Sequence, residues 1–297
     1  MMAKIGLMFA GQGAQHPGMG QALYQSSEAA RKLYEEADRI LGWKLSELCF
    51  NGSQEELTAC AHCQPAIFVT SLAALAARME NSSGEEEFVA AGGLSLGELA
   101  AVTAAGVVDF ENGLKMVAKR GELMDECCRS TIGAMAAVIG CDDSVLEAAC
   151  QKCGVVVANY NCPGQRIVSG EAKAVEACIA EVSSASLKTQ LLQVAGAYHS
   201  PLMATAAEAF GAFLGGIAFE APKMPIVHNV TGGWGEESTI PLKELLARQI
   251  VSSVRWEECA GALMSKCDKL LELGPGRVLC GLARRIDKRY PTEATDL

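Results

Sequence analysis

Residues 88–105 constrain the fold of this 297-residue chain more than any other segment. A short apolar run at residues 88–92 leads into a glycine-bounded turn at residues 93–97, and a helical pattern follows over residues 98–105. A short apolar run bounded by turn residues is typical of a buried strand. Because a strand, a tight turn and a helix in this order build parallel sheets covered by helices on both faces, we expect an α/β fold.

Other segments repeat this alternation of strand and helix. The run at residues 5–9 enters a glycine-rich loop, and the sequence at residues 53–56 is a capping box that predicts a short helix. Pro65 fits the first turn of a further helix. The remaining predictions are helices at residues 27–41 and 66–78 and strands at residues 225–230 and 269–273.

Residues 132–196 have a different pattern. Their predicted elements follow the order β-α-β-β-α-β, which is that of a ferredoxin-like domain. These elements are strands at residues 134–139, 155–160, 166–169 and 187–194 and helices at residues 143–153 and 172–182. We therefore expect a large α/β-hydrolase-like parallel-sheet domain, residues 1–131 and 197–297, with an inserted ferredoxin-like α+β subdomain, residues 132–196.

The composition indicates an ordered globular chain and argues against some classes of partner. Half of the residues are hydrophobic and 20% are charged. The formal net charge of -10 disfavours general binding to nucleic acid or anionic lipid, since both attract clusters of Lys and Arg. The C-terminal basic run is more typical of a solvated helix face than of a patch for an acidic partner. This run consists of Arg284, Arg285, Lys288 and Arg289.

The apolar stretches and the cysteines predict a cytoplasmic protein. The longest apolar stretches are shorter than the ~20 residues that a membrane-spanning helix needs, and residues 1–11 lack the apolar core of a secretory signal. The 13 cysteines, scattered through apolar and helical segments, are typical of reduced thiols. The C-x-x-C pairs Cys60/Cys63 and Cys150/Cys153 lack the glycine-rich turns that usually hold zinc, so we expect no metal site.

The turn at residues 93–97 has the sequence GLSLG and presents a candidate nucleophile, Ser95. In a G-x-S-x-G motif between a strand and a helix, small residues beside the serine permit a sharp turn. The start of the following helix offers free N–H groups and a positive dipole end to an oxyanion. This context favours a nucleophilic serine over a simple helix cap.

A serine hydroxyl needs a base, and the chain has four histidines. His62 and His228 fit core or surface positions better than a catalytic one, whereas His16 in the glycine-rich loop stays possible. His199 is preferred because it follows the last predicted strand of the inserted unit, where a side chain can face a cleft between domains. No acidic residue beside it marks a third member, and a backbone carbonyl would orient its imidazole equally well.

Arg120 lies on a predicted helix that begins near Asp109. Apolar residues recur along this helix, and Arg120 falls roughly 80° from the centre of the apolar stripe, at its edge. An arginine at such an edge either extends its stem over the core or points into a cleft, where its planar fork suits a carboxylate. The local pattern is compatible with both positions.

Taken together, the motifs resemble those of the malonyl-CoA:acyl carrier protein transacylase family of fatty-acid synthesis and the related acyltransferases of polyketide synthases. The resemblance covers nearly the whole chain and rests on motifs that stand in family order. They are FAGQGAQ at residues 9–15, QPAI at 64–67, GLSLGE at 93–98, RGELM at 120–124, NYNCPGQ at 159–165, YHSPLM at 198–203, Gln249 before VRW at 254–256, and ELGPG at 272–276.

The resemblance implies a catalytic role for several of these residues. It makes Ser95 the acylated nucleophile and His199 its general base, with the backbone carbonyl of Gln249 orienting the imidazole. It also implies that the backbone N–H groups of Gln12 and Leu96 form the oxyanion hole.

The resemblance further implies the substrates. Arg120 would hold the malonyl carboxylate, and Asn161 would lie beside the substrate. Malonyl-CoA would be the donor and the phosphopantetheine thiol of an acyl carrier protein the acceptor, with no cofactor of the chain's own and with the chain acting as a monomer.

Two positions depart from the family pattern, and two other functions compete with acyl transfer. Many members have histidine where this chain has Leu94, and proline commonly stands at the position of Ala10. A serine hydrolase such as a thioesterase would share the nucleophile turn and the acyl-enzyme. A binding or scaffold subunit that kept only the fold is the non-enzyme alternative, and the presence of Ser95, His199 and Arg120 argues against it.

Overall fold

The computed structural model describes residues 2–82 and 84–295. In chain order, its strands are β1 Ala3–Phe9, β2 Glu86–Gly93, β3 Gly133–Ile139, β4 Val156–Cys162, β5 Gln165–Glu171, β6 Lys188–Leu191, β7 Val227–His228, β8 Gly233–Trp234, β9 Lys269–Leu273 and β10 Thr292–Ala294. Its helices are α1 Gln21–Ser26, α2 Glu28–Leu41, α3 Leu45–Asn51, α4 Cys60–Glu80, α5 Leu96–Ala104, α6 Phe110–Ser130, α7 Asp143–Cys153, α8 Ala172–Glu181, α9 Ala204–Gly215, α10 Leu242–Gln249, α11 Trp256–Lys266 and α12 Val278–Ile286.

A parallel sheet with the strand order β10-β9-β1-β2 lies at the centre of the larger part of the molecule. The strand β1 pairs in parallel with both β2 and β9. Because side chains alternate across a strand, Leu7 and Phe9 pack into one core while Met8 packs into a second core on the opposite face. The prediction of a parallel sheet buried on both faces is confirmed.

A second, antiparallel sheet has the strand order β4-β5-β3-β6. Along the chain its elements follow the order β3-α7-β4-β5-α8-β6. Val138 and Val168 belong to the core that this sheet forms with α7 and α8, whereas Met135 and Ile167 belong to the core of the larger part. The second sheet therefore has one face on its own helices and the other toward the parallel-sheet region.

Backbone and ionic contacts join the two regions. Val254, in the segment after α10, donates its N–H to the carbonyl of Ala158 at 2.8 Å and accepts from the N–H of Tyr160 at 2.9 Å. Arg166 of β5 donates to Glu257 at the start of α11 at 2.7 Å. The second sheet is thus fastened to the segment that connects α10 with α11.

The helix containing Pro65 begins earlier than predicted. The sequence placed Pro65 in the first turn of a helix over residues 66–78, whereas α4 begins at Cys60 and holds Pro65 in its interior. An internal proline removes one hydrogen bond, the one from residue 65 to the carbonyl of residue 61, and burial of the helix offsets that loss.

Three other predicted elements are shorter than the sequence indicated. The Ser53 hydroxyl accepts from the N–H of Glu56 at 3.2 Å, so the capping box forms, but it closes a single turn and no helix follows. The strand predicted at residues 187–194 is reduced to β6, and that at residues 225–230 to β7. β6 pairs with β3 over four residues, and β7 pairs with β8 over two.

The helix α4 also corrects the prediction that every apolar stretch is shorter than a membrane span. It has 21 residues, and in residues 2–82 and 84–295 it is the one helix long and apolar enough to cross a membrane by length and composition. Most of its apolar stretch is buried inside the fold, against α2 and α6.

Candidate active site

Ser95 occupies the sharp turn between β2 and α5 in a conformation that few residues adopt. Its φ of 55° and ψ of -108° lie in a sparsely populated region for a residue with a side chain. Glycine is required on both sides of it. A Cβ on Gly93 would lie 2.1 Å from Gly97, and a Cβ on Gly97 would lie 2.2 Å from the carbonyl oxygen of Phe9.

His199 meets Ser95 from the segment after the second sheet. Its Nε2 lies 2.8 Å from the Ser95 Oγ, and its Nδ1 lies 2.8 Å from the backbone carbonyl oxygen of Gln249. That carbonyl can only accept, so Nδ1 carries the proton and Nε2 is free to accept the serine proton. Within the described part of the chain, Ser95 and His199 are the only non-glycine residues with positive φ.

The surroundings of His199 keep its imidazole neutral. Burial, together with the nearby positive charge of Arg120, lowers the pKa of His199 to about 4, although the hydrogen bond to Gln249 acts in the opposite direction. A neutral imidazole can accept a proton at any pH well above 4.

Arg120 points inward from α6 and is almost completely buried. Its Nη2 donates to the Ser95 Oγ at 3.0 Å and to the side-chain oxygen of Gln249 at 2.9 Å, and its Nη1 donates to the side-chain oxygen of Gln64 at 2.8 Å. Its Nε has no partner among the described residues. Of the two positions that the sequence left open for Arg120, the structure therefore has the one that faces Ser95.

No carboxylate of the described residues forms an ion pair with Arg120. Burial lowers its pKa to about 10, so the guanidinium is still charged at neutral pH. The direct hydrogen-bond partners of Arg120 are all neutral, and the Glu98 carboxylate acts on it only from a distance. An anion from outside can therefore supply a counter-charge in direct contact with the guanidinium.

The two backbone N–H groups expected to bind an oxyanion lie beside the serine turn. Leu96 is the first residue of α5, and Gln12 lies in the loop that follows β1. Among the backbone hydrogen bonds that the described residues form in turns, loops and helix caps, none has the N–H of Gln12 or Leu96 as its donor. Both are therefore free to donate to a bound oxygen, and the dipole of α5 adds to the attraction.

A cavity of about 190 Å³ opens in front of Ser95 and His199. Asn161 of β4 lies in its wall, and the Oδ1 of Asn161 is buried without a hydrogen-bond partner. Arg120 is not part of this wall, but its Nη2 contacts the Ser95 Oγ, which is. The wall is otherwise mostly apolar, with Leu94, Met124, Met135, Ile167, Leu192, Val194, Val278 and Leu282.

The three other histidines lie apart from the Ser95 hydroxyl. The Nδ1 of His16 faces the carbonyl of Pro17, and that of His62 faces the carbonyl of Glu56, both near the surface. His228 is buried and its Nδ1 lies 2.6 Å from Glu98. The structure therefore leaves His199 as the imidazole in contact with the serine.

The C-x-x-C pairs lie in different parts of the fold. Cys60 on α4 donates to the Tyr198 hydroxyl, whereas Cys150 on α7 lies 3.9 Å from Cys178 in the core of the second sheet. Among residues 2–82 and 84–295, no group of three or more His, Cys, Asp or Glu side chains is placed to hold a metal ion.

Three polar residues of the site were not identified from the sequence as having any role there. They are Gln64, which holds Arg120, and Glu98 and Asn229, which are hydrogen-bonded to each other behind Ser95. A polar residue inside an otherwise apolar segment is the one local signal that they share. Gln64 interrupts the apolar face of α4, and Asn229 follows an apolar run, so both could have been flagged as buried polar groups that need partners.

The chain is similar over nearly its full length to known proteins. It matches the family described as the acyl transferase domain over residues 7–269. It is 39% identical to the malonyl CoA-acyl carrier protein transacylase of Bacillus subtilis (strain 168), with 99% of this chain and 93% of that relative covered.

Two solved structures have the same fold. One is the malonyl-CoA:acyl carrier protein transacylase of Xanthomonas oryzae pv. oryzae, with a TM-score of 0.93, 33% identity, and coverage of 99% of this chain and 95% of that one. The other is a type II PKS acyl-carrier protein in complex with its malonyl-transacylase, with a TM-score of 0.91, 32% identity, and coverage of 99% and 96%.

Proposed function

This chain belongs to the acyl transferase domain family, with malonyl-CoA:acyl carrier protein transacylases as its relatives, and we propose that it transfers malonyl groups. The donor is malonyl-CoA, the acceptor is the phosphopantetheine thiol of an acyl carrier protein, and the product serves fatty-acid or polyketide synthesis. The observation that carries the proposal is the position of the Ser95 Oγ, within hydrogen-bond distance of both a neutral base, His199, and a buried cation, Arg120.

The first half-reaction places the malonyl group on Ser95. The serine Oγ bonds to the thioester carbonyl carbon while its proton moves to the Nε2 of His199. The carbonyl oxygen becomes an oxyanion, which the N–H groups of Gln12 and Leu96 stabilise. The carbon–sulfur bond then breaks, and the leaving sulfur of coenzyme A takes the proton from His199.

The second half-reaction runs the same steps in reverse order with a different thiol. His199 takes the proton of the phosphopantetheine thiol, and the sulfur bonds to the ester carbonyl carbon. When the bond to the Ser95 Oγ breaks, this oxygen takes the proton back from His199, and the enzyme returns to its starting state. The mostly apolar wall of the cavity favours a pantetheine arm over free water.

Arg120 and Asn161 select the acyl group. The malonyl carboxylate supplies a counter-charge in direct contact with Arg120, and the Nε of Arg120 is a donor without a partner among the described residues. An acyl group without a carboxylate leaves this charge desolvated and unpaired. Asn161, whose side chain lies in the cavity wall, is the second residue that we assign to contact with the substrate.

The two regions of the molecule also receive a finer fold assignment as part of this proposal. We assign residues 132–196 to a ferredoxin-like subdomain inserted in an α/β-hydrolase-like domain, which comprises residues 1–131 and 197–297. The antiparallel order β4-β5-β3-β6 and the chain order β3-α7-β4-β5-α8-β6 support the ferredoxin-like assignment. The turn from β2 through Ser95 into α5 supports the hydrolase-like one.

The proposed reaction also suggests the oligomeric state, the location and the cofactor requirement of the chain. We propose that the chain works as a cytoplasmic monomer that needs no cofactor of its own, since acyl transfer between thiols through a serine ester requires only a nucleophile, a base and an oxyanion hole. Two substrates, malonyl-CoA and an acyl carrier protein, then account for the whole reaction.

Replacing Arg120 tests the proposed function. In Arg120→Ala, transfer from malonyl-CoA to a carrier protein should fall about 100-fold or more, because a desolvated charge–carboxylate contact is lost, while transfer from acetyl-CoA falls much less. Rates for both donors are measured by the appearance of the malonylated or acetylated carrier protein. Equal losses for the two donors would remove Arg120 from the role of carboxylate clamp.

A further inference from the structure

A network of buried hydrogen bonds lies behind Ser95, on the side away from the reaction cavity. At its centre is Glu98 on α5, which is 0% exposed. Its carboxylate accepts three hydrogen bonds, from the Nδ1 of His228 at 2.6 Å, the Nε2 of Gln249 at 2.5 Å and the backbone N–H of Asn229 at 3.2 Å. A buried carboxylate with this many donors is a fixed anchor point for the groups that donate to it.

The first group that Glu98 fixes is the side-chain amide of Gln249. The Nε2 of this amide donates to the Glu98 carboxylate and to the backbone carbonyl of Ser95, at 2.9 Å. Both of these partners can only accept, so the amide oxygen must point the other way, toward the Nη2 of Arg120 at 2.9 Å. If the amide turned over, its N–H groups would face the N–H groups of the guanidinium and its oxygen would face the carboxylate.

The second group is Asn229, which braces the serine turn. Its side-chain oxygen accepts from the N–H of Ser95 at 2.7 Å, and its side-chain nitrogen donates to the carbonyl of Gly93 at 2.8 Å. The turn is held in a sparsely populated conformation, which persists only where the surroundings over-determine it. Glu98 in turn accepts a hydrogen bond from the backbone N–H of Asn229 and so fixes the residue that braces the turn.

Neither Glu98 nor His228 reaches the reaction cavity. His228 instead lines a separate cavity of about 360 Å³, whose wall also includes Met224, Ile226 and Leu245. No residue of this second cavity belongs to the wall of the first. Substitutions of Glu98 or His228 therefore change no side chain that lines the reaction cavity.

We propose that Glu98, braced by His228, is a positioning residue that fixes the Gln249 amide, and through it aims Arg120 at the substrate carboxylate. The inference rests on the proposed function, since it assigns Glu98 to the selection of a carboxylate-bearing acyl group. Loss of the Glu98 carboxylate lets the Gln249 amide turn over and place its N–H groups against Arg120, which moves the guanidinium away from its position beside Ser95.

The variant Glu98→Gln tests this directly, with Glu272→Gln as a matched control. Glu272 is equally buried, but it accepts from the backbone N–H groups of Leu279 and Cys280 in another part of the fold. Acylation of Ser95 is measured with malonyl-CoA and acetyl-CoA, together with the melting temperature. We expect Glu98→Gln to slow malonyl acylation about 30-fold and to lower the malonyl-to-acetyl rate ratio about 10-fold, while Glu272→Gln leaves the ratio unchanged.

A rate ratio that stays within about 2-fold of the wild-type value in Glu98→Gln would overturn the proposal, because a purely structural carboxylate lowers both rates and the melting temperature without changing selectivity. The wild-type chain in the same assay reports on the proposed function separately. If the wild type itself forms no malonyl adduct, the proposed function fails, whereas a selective wild type with an equally selective Glu98→Gln refutes only the positioning role.

A second pair of variants keeps the inference testable if Glu98→Gln does not fold. The substitution His228→Leu removes the donor to Glu98, whereas His228→Asn keeps an N–H close to the position of the His228 Nδ1. We expect His228→Leu to lower the malonyl-to-acetyl ratio about 5-fold and His228→Asn to keep it within about 2-fold of wild type. Equal ratios in the two variants would contradict the bracing role of His228.

Discussion

On one side of the reaction cavity, Ser95, His199 and Arg120 are joined by hydrogen bonds within the parallel-sheet region. On the other side, the antiparallel sheet and the segment after it supply apolar side chains together with the amides of Asn159, Asn161 and Gln165. The first side is fixed, because each polar group is held by at least one partner in a single geometry. On the second side, Ile167 and Leu192 offer apolar surface area, and Asn161 is the polar residue proposed to contact the substrate. The comparison indicates that the proposed chemistry and the contact with the malonyl carboxylate depend on the first side, while the second side adds apolar surface for the thioester arm and the Asn161 amide.

The largest expected effect comes from removing the base on the hydrogen-bonded side. His199→Ala should slow acylation of Ser95 by about 10⁴-fold or more, because the serine proton then has no acceptor. Stopped-flow release of coenzyme A measures this rate, and an unchanged melting temperature verifies that the variant is folded. A loss of less than about 10-fold would mean that another group is the base, and it would contradict the assignment of the chemistry to the hydrogen-bonded side.

The pH dependence should distinguish two groups on that same side. Acylation requires neutral His199, whose pKa is lowered to about 4 by burial, so the rate should fall as the pH drops through about 4 for both malonyl-CoA and acetyl-CoA. Malonyl binding also requires charged Arg120, whose pKa burial lowers to about 10, so only the malonyl rate should fall as the pH rises through about 10.

The values of kcat/KM for the two donors between pH 4 and pH 10.5, taken in short assays, test these limbs. An alkaline limb of equal size for acetyl-CoA would mean that Arg120 does not distinguish the donors.

The smallest effect is expected on the apolar side. Leu192→Ala removes contact area from the wall formed beside β6 but no hydrogen bond, so KM for malonyl-CoA should rise about 3-fold to 10-fold with kcat nearly unchanged. Steady-state kinetics with both donors measure it, and the malonyl-to-acetyl ratio should stay constant. A change in that ratio would show that the apolar wall also selects the acyl group.

The sequence predicted the features that local rules govern. Gly93 is needed because a Cβ there would clash with Gly97 in the same turn, and the alternation of strands and helices follows from short-range periodicity. The parallel sheet was predicted on that basis, and the similarity of motifs supplied the remaining roles of the site.

The features that depend on distant partners were not predictable in the same way. The helical pattern put Arg120 at the edge of an apolar stripe, and its direction is set by Gln64 and Gln249, which are 56 and 129 residues away. The pairing of Glu98 with His228 spans 130 residues and leaves no local periodicity. The predicted start of the helix that contains Pro65 was wrong, because burial of the whole of α4 outweighs the local cost of an internal proline.

We propose that Ser95 carries the malonyl group between two thiols, and mass spectrometry of the intact protein and of its peptide digest can detect this adduct. After incubation with malonyl-CoA, we expect the mass of one malonyl group on the peptide that contains Ser95, stable until an acyl carrier protein bearing phosphopantetheine is added and then transferred to it. Rapid release of free malonate without the carrier would favour a hydrolase. No adduct at Ser95 would contradict the claim and favour a binding or scaffold role.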